Sequence, residues 1–302
     1  MKVSQFKPML LSNDEFDINK LDYSNMFQSI KRDGVRAEVT NEGIKNRSLK
    51  ILRNIKIQEY FKEIWSKLPD GMIIEAEIYA DDIPCRETAG ICNSLDKDVP
   101  PNAKLYVFGI YDNELNFAGR IKILKDATEK FLTHINIKIV EQHKVSSAKE
   151  ATEFYNKALK KGFEGAVLMD GSKPYKCGRV TINQHIGFKL KPHKFDDLEI
   201  VGINERFLNT NESLTNELGR SYKRNTVDAK ESTEIAGTFD CKMDNEEITK
   251  VTITGDEDSR KEIWKNKKSY IGRFVVVKSM DYGIKDKLRH PRMIKVKEKC
   301  EK

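Results

Sequence analysis

Residues 27–39 read FQSIKRDGVRAEV, and the fold turns on how that stretch is read. Lys31, Asp33, Gly34 and Arg36 interrupt two apolar runs of strand type. A charged turn entering a core is the plain reading. The alternative is that Lys31 is a nucleophile, because burial or neighbouring cations lower a lysine pKa and free its lone pair. Arg32 points the other way from Lys31 and reads as a solvated strand face. A lone K-x-D-G-x-R match arises by chance in roughly one chain in a hundred of this length, so its companions decide.

Those companions are charged residues set among apolar ones: Lys31, Asp33, Glu75, Glu77, Glu164, Lys189 and Lys191. An unpaired buried charge costs several kcal/mol, so seven of both signs point to one shared polar site. Lys189 and Lys191 have strand-face spacing and can aim at one phosphate. Lysines and carboxylates converging on a cleft suit a nucleotide phosphate with a divalent cation.

The chain has 302 residues, enough for one large domain or two ordinary ones. Its net charge of +7 fits a polyanionic partner without demanding one. No apolar run is long enough to span a bilayer and the first residues lack a secretory pattern, so the expectation is an intracellular, soluble protein. Cys85, Cys92, Cys177, Cys241 and Cys300 form no CxxC pair, which argues against a zinc site or disulfide framework.

Helical spacing over 57–68 ends at Pro69-Asp70-Gly71. A second helix is signalled by Ser147 and Glu150 as a capping box, with Gly162 at its C-terminus. GMIIEAEIY, KLYVFGIYD, EGAVLMD and IGFKLK read as strands. After Lys194 come four short strands, LEIVGI, IAGTFDC, KVTIT and RFVVVKSM, with one helix, DSRKEIWKN; this suits a small barrel such as an OB-fold. The domain boundary falls near Pro192–Lys194. Residues 206–234 are long, polar and basic at Arg220, Lys223 and Arg224, and read as a long loop.

The Lys31–Arg36 motif resembles the first motif of the covalent nucleotidyltransferases, comprising DNA ligases, RNA ligases and capping guanylyltransferases. Further motifs follow in that family's order: Arg47 in NRS, Glu77 in EAEIY, Phe108 in YVFGIYD, Glu164-Gly165 in FEGAVLMD, and Lys189 and Lys191 in FKLK. Spacing from KGFEG through YKCGR to KLK, with WKNKKSYIGRFVVVK and LRHPRMIKVKEKCEK, is similar to that of the minimal, Chlorella-virus-type ATP-dependent DNA ligases. The resemblance runs essentially end to end.

It implies an α+β protein. An N-terminal, ATP-grasp-like nucleotidyltransferase (adenylation) domain of antiparallel sheets and flanking helices would occupy 1–192. A C-terminal OB-fold barrel would occupy 193–302, with a DNA-binding latch around 206–234, mobile without DNA. It implies nick sealing in duplex DNA through a lysyl–AMP, with ATP and Mg²⁺ (or Mn²⁺), by a monomer. Lys31 would be the nucleophile and Asp33 would hold geometry around it. Phe108 would stack on adenine and Glu77 hold the ribose or a metal-bound water. Glu164 would join the metal shell, with Glu75 as a further ligand. Lys189 and Lys191 would neutralise the α-phosphate. Arg36, Arg47 and Arg179 would grip ribose or nick phosphate, and Arg289 would close over ATP from the second domain.

Departures from the family pattern are Glu75-Ala76 before Glu77, Met169 where a basic residue is usual, and Lys297, Glu301 and Lys302 near the C-terminus. No module of the NAD-dependent kind precedes KPML, so ATP is the expected cofactor. An RNA ligase or capping enzyme is the runner-up, and a nucleic-acid-binding OB protein with a relic catalytic domain comes third.

Overall fold

Lys31 ends one strand and Arg36 lies early in the next, and the two strands belong to different sheets. The computed structural model describes residues 6–81, 83–282 and 288–297. The chain divides into two units, 1–191 and 192–302.

In the first unit, β1 (Met26–Lys31) lies in a four-stranded antiparallel sheet. Its order is β7 (His143–Lys144), β1, β8 (Gly165–Asp170), β9 (Gly187–Leu190). β2 (Val35–Thr40) enters a five-stranded sheet ordered β3 (Gly43–Lys45), β2, β4 (Ile74–Ala80), β5 (Ala103–Ile110), β6 (Ile137–Ile139). Only β5 and β6 pair parallel there, joined by the crossover helix α4 (Phe117–Phe131).

Strand alternation divides the labour of the five-stranded sheet. Ala37, Val39, Ile74, Ala76, Ile78, Leu105 and Val107 face one way and pack on Ile57, Phe61, Ile64 and Leu124 of the helices. The alternate residues Arg36, Glu38, Glu75, Glu77, Tyr106 and Phe108 lie on the other face. Registers of Arg36 with Glu77 and Glu38 with Glu75 place these side chains in cross-strand pairs.

The helix expected over 57–68 is two shorter ones, α1 (Ile55–Tyr60) and α2 (Lys62–Trp65). Between them Phe61 is fully buried at φ −104°, ψ 11°, so core packing overrides helical continuity. Helix α5 (Ala148–Lys160) starts as expected, with Ser147 Oγ accepting the Glu150 N–H, and Gly162 sits past its end at φ +81°. The Glu150 carboxylate accepts the Ser146 N–H rather than that of Ser147. Helices α3 (Cys85–Asn93) and α4 were not expected from the sequence.

The second unit is a closed five-stranded barrel. Its order is β10 (Lys194–Asn209), β13 (Lys230–Lys242), β14 (Ile248–Thr252), β16 (Leu288–Val296), β15 (Phe274–Tyr282), closing back on β10. β14 and β16 pair parallel, and α6 (Glu257–Lys265) lies between β14 and β15 in sequence, as in an OB-fold. Ile200, Phe239, Cys241, Val251, Val275 and Val277 fill it, with Ile263 of α6 packed against them.

The segment read as a long loop is instead a β-ribbon. β10 and β13 stay paired out to Asn209 and Lys230, and β11 (Ser213–Thr215) pairs with β12 (Ser221–Lys223) near the tip. Most of the ribbon is solvent-exposed, its apolar Phe207, Leu208, Tyr222 and Val227 included, so no alternation of buried and exposed residues marks its strands in the sequence. Among the described residues the cysteines are free thiols and no helix is long and apolar enough to cross a membrane. Cys300, Glu301 and Lys302 lie outside the described residues. Lys297 pairs with Asp197 at 2.7 Å.

Candidate active site

A pocket of about 340 Å³ opens between the two sheets of the first unit. Lys31, Arg36, Arg47, Glu75, Glu77, Phe108, Met169, Arg179 and Lys189 all line it. Asp33, Glu164 and Lys191 adjoin these side chains.

Two glycines make the geometry feasible. A Cβ on Gly34 would stand 2.5 Å from the Ile78 carbonyl oxygen, so only glycine lets this turn lie flat on β4. Its N–H then donates to Glu77 Oε1 at 2.9 Å, and its carbonyl accepts from Cys85 Sγ at 3.3 Å. Gly165, at φ +154°, would put a Cβ 2.1 Å from the Leu190 carbonyl oxygen. It therefore lets β8 close on β9, which brings Glu164 and Lys189 to the same end of the sheet. Lys31 is opposite Gly165 in the register.

Lys31 Nζ donates to Glu164 Oε2, with both side chains largely enclosed. Burial works against the ammonium, but Glu164 and Glu77, with Asp33, outweigh it and hold the pKa above the ordinary lysine value. The expected lowering is thus absent from the ligand-free site, because two carboxylates face the amine. Burial raises Glu77, opposed by Lys31 and the Gly34 N–H. The cation whose pKa falls is Lys189, pushed down to about 8 by burial, then by Lys191, Lys31 and Arg179, against Glu164. Its Nζ donates to Asn13 Oδ1.

Beneath the pocket lies a network that the sequence reading did not assemble. Arg36 Nε donates to Glu38 Oε1 at 2.8 Å, and its NH2 to Glu75 Oε1. Tyr175 Oη donates to the same Glu75 oxygen at 2.7 Å and accepts the Met9 N–H at 2.8 Å. Glu75 is therefore engaged by Arg36 and Tyr175. Burial raises Glu38 well above the carboxylate range; Arg36 opposes this and Glu75 adds to it. The Arg36 guanidinium also sits 4.7 Å from the Phe108 ring centroid.

Three more residues were missed. Among the described residues, the NH2 of buried Arg120 and the buried Oε1 of Gln142, both lining the pocket, find no hydrogen-bond partner. Arg32 is not a solvated strand face: its guanidinium stacks on Tyr106. Glu38 alone carried a signal, an acid two residues after Arg36 on one strand face. Met169, buried in the pocket wall with Phe117 and Val180, carries no charge there.

Arg47 and Arg179 are exposed at the rim, in a turn after β3 and beside Leu10. Arg289 lies on β16 opposite Met280, in the second unit. Arg220, Lys223 and Arg224 are exposed on the ribbon. Among the described residues no three His, Cys, Asp or Glu side chains form a metal site by themselves. Glu77 and Glu164 beside Lys31 do fit a magnesium ion, which takes one or two carboxylates and fills its shell with phosphate oxygens and water.

A lysine flanked by acids between two sheets, followed in the chain by an OB-fold barrel, defines a nucleotidyltransferase fold. Residues 8–186, more than half of the chain, match the family model described as ATP dependent DNA ligase domain, and the chain belongs to that family. It is an ATP-dependent DNA ligase, an enzyme that uses ATP and acts on DNA. The Chlorella virus DNA ligase-adenylate structure aligns at a TM-score of 0.55 and 23% identity, over 98% of this chain and 100% of that one. A Lig E DNA ligase structure aligns at 0.71 and 16% identity, over 96% and 99%. At these identities the likeness is one of fold. No curated protein matched.

Proposed function

We propose that Lys31 takes AMP from ATP and that the enzyme passes it to the 5′-phosphate of a nick in duplex DNA before sealing. The observation that carries this is the Lys31 amine held by Glu164 in a pocket that also presents Phe108 and Lys189. Nζ attacks the α-phosphorus, the N–P bond forms, and pyrophosphate leaves. Glu164, already hydrogen-bonded to Nζ, is placed to accept the amine's proton. Lys189, with Lys191, neutralises the α-phosphate, which restores the proton that Lys189 holds weakly in the free site. AMP then transfers to the nick phosphate, and the 3′-hydroxyl displaces it. Most of the rate comes from positioning and charge stabilisation.

The base stacks on Phe108. Ser29, two residues before Lys31 on β1, and Gln142, next to the end of β7, both line the pocket and supply polar groups to it. The Gln142 amide offers an acceptor and a donor, the complement of adenine's amino edge. Glu77, one oxygen of which takes the Gly34 N–H, holds the ribose or metal-bound water with the other. Magnesium, held by Glu77 and Glu164, would supply charge neutralisation on the phosphates. Arg36 and Asp33 fix the geometry around Lys31, and Arg47 and Arg179 grip nick phosphate at the rim.

The units 1–192 and 193–302 serve as adenylation domain and OB-fold domain of a monomer, with Arg289 closing over ATP in the first step. Arg220, Lys223 and Arg224 place cations on the ribbon for the DNA backbone, so DNA affinity falls with salt. Incubation with α-labelled ATP and Mg²⁺ tests the central step. The expected result is a covalent adduct on the wild type and none on Lys31→Ala; an adduct on both sinks the assignment. Preference for ATP over GTP, and for a DNA nick over an RNA nick, separates this reading from capping and RNA ligation.

A further inference from the structure

Arg32 occupies the variable position of the nucleophile motif and takes no part in the chemistry set out above. Its guanidinium carbon lies 3.9 Å from the Tyr106 ring centroid and 5.1 Å from that of Phe163. Its Nε is buried with no hydrogen-bond partner among the described residues. Ring faces therefore hold much of this head group, in the geometry a cation–π contact requires.

The three residues come from three parts of the first unit. Arg32 begins the turn that leaves β1 for the other sheet. Tyr106 lies on β5 in the five-stranded sheet, directly opposite Glu77 in the register. Phe163 immediately precedes Glu164, the partner of Lys31 Nζ. One side chain thus touches the neighbours of both acids that flank the nucleophile. Gly34 adds a second anchor through Glu77, but that bond ties the turn to the five-stranded sheet alone.

We propose that Arg32 is a positioning residue: a cation–π clamp that holds Lys31 and Glu164 at the spacing adenylyl transfer requires. The inference rests on Lys31 being the nucleophile. Arg32 reaches the two rings because it follows Lys31 directly, where the chain passes between sheets. Although Arg32 and Tyr106 also line the pocket, the phosphate and base contacts assigned above come from other side chains, so loosening the clamp chiefly blurs the aim of the amine.

The test is single-turnover formation of lysyl–AMP by the full chain, followed against ATP concentration and pH. Arg32→Ala is expected to lower the rate at saturating ATP about tenfold to a hundredfold, the effect of displacing a reacting group by roughly 1 Å. The half-saturating ATP concentration and the pH profile should stay near wild type. Arg32→Lys should recover part of the rate, because an ammonium can still sit over one of the rings. Arg32→Ala with Tyr106→Leu should be no slower than the slower single variant, since both remove the same clamp.

A wild-type rate in Arg32→Ala overturns the proposal, as does a loss confined to ATP affinity, a shifted pH profile, or additive effects in the double variant. Where Arg32→Ala fails to fold, Arg32→Lys and Tyr106→Leu, checked by their melting curves, decide the matter by the same rate measurement. If the wild type takes no label at Lys31, the nucleophile assignment fails. Normal labelling in the Arg32 variants fails the clamp alone.

Discussion

With Lys189 on the α-phosphate, as proposed, its depressed pKa makes nucleotide binding proton-linked. Burial and the cations Lys191, Lys31 and Arg179 disfavour the charge of this amine and push its pKa down to about 8. A bound phosphate reverses that balance and returns the amine toward its ordinary value above 10. The free enzyme therefore holds fewer protons than the complex, and binding takes protons up. Two-state titration gives an uptake of about 0.1 proton at pH 7, about 0.5 at pH 8 and about 0.9 at pH 9. By linkage, affinity falls about tenfold from pH 7 to pH 9. The measurement is calorimetry with α,β-methylene-ATP, whose α-phosphorus cannot release pyrophosphate, in buffers of different ionisation enthalpy. The slope of observed heat against buffer enthalpy counts the protons. Lys189→Arg, charged throughout, should bind with almost no uptake at pH 8 and with a flat pH dependence. An uptake that is absent in the wild type, or that survives in Lys189→Arg, would refute the reasoning.

Tyr175→Phe removes the hydroxyl shared by the buried Glu75 carboxylate and the half-buried Met9 N–H, and should cost about 2–4 kcal/mol. Thermal unfolding should then begin about 5–15 °C lower, and an unchanged melting curve would contradict the network. Gly165→Ala forces a Cβ against the Leu190 carbonyl at a φ that alanine avoids; urea unfolding should show a loss above about 2 kcal/mol, with slower labelling of Lys31. Gln142→Leu should narrow the preference for ATP over purine riboside triphosphate, which lacks the amino group, by up to about tenfold. Competition labelling measures the ratio, and an unaltered ratio removes Gln142 from the base site. Deleting residues 209–231 should weaken nick sealing while leaving lysyl–AMP formation largely intact; equal loss of both would make the ribbon a folding element.

Motif order and barrel texture were readable because each depends on local residue types. Lys31, Gly34 and Arg36 announce a tight charged turn, and the strands after Lys194 alternate or run apolar as core strands must. The ribbon at 206–234 was not readable, since most of its side chains are solvated and its few apolar ones keep no period. Helix α4 escaped for another reason. Its apolar face is interrupted by Arg120, which is buried and donates to the Leu115 carbonyl at 2.8 Å. The break at Phe61 was likewise invisible, because packing and not propensity sets it.

Taken alone, the sequence determined the motifs that mark the family and their order, since each is a short run of residue types with local geometry. The tertiary structure decided their partners. It placed the crossing between sheets within the Lys31–Arg36 motif, set Glu164 on Lys31 from 133 residues away, and tied Glu75 to Arg36 and Tyr175. It also brought Arg32 against Tyr106 and Phe163. Charge states followed from that assembly: Lys31 rises and Lys189 falls, because a pKa answers to burial and to charges close in space, however far apart they lie along the chain.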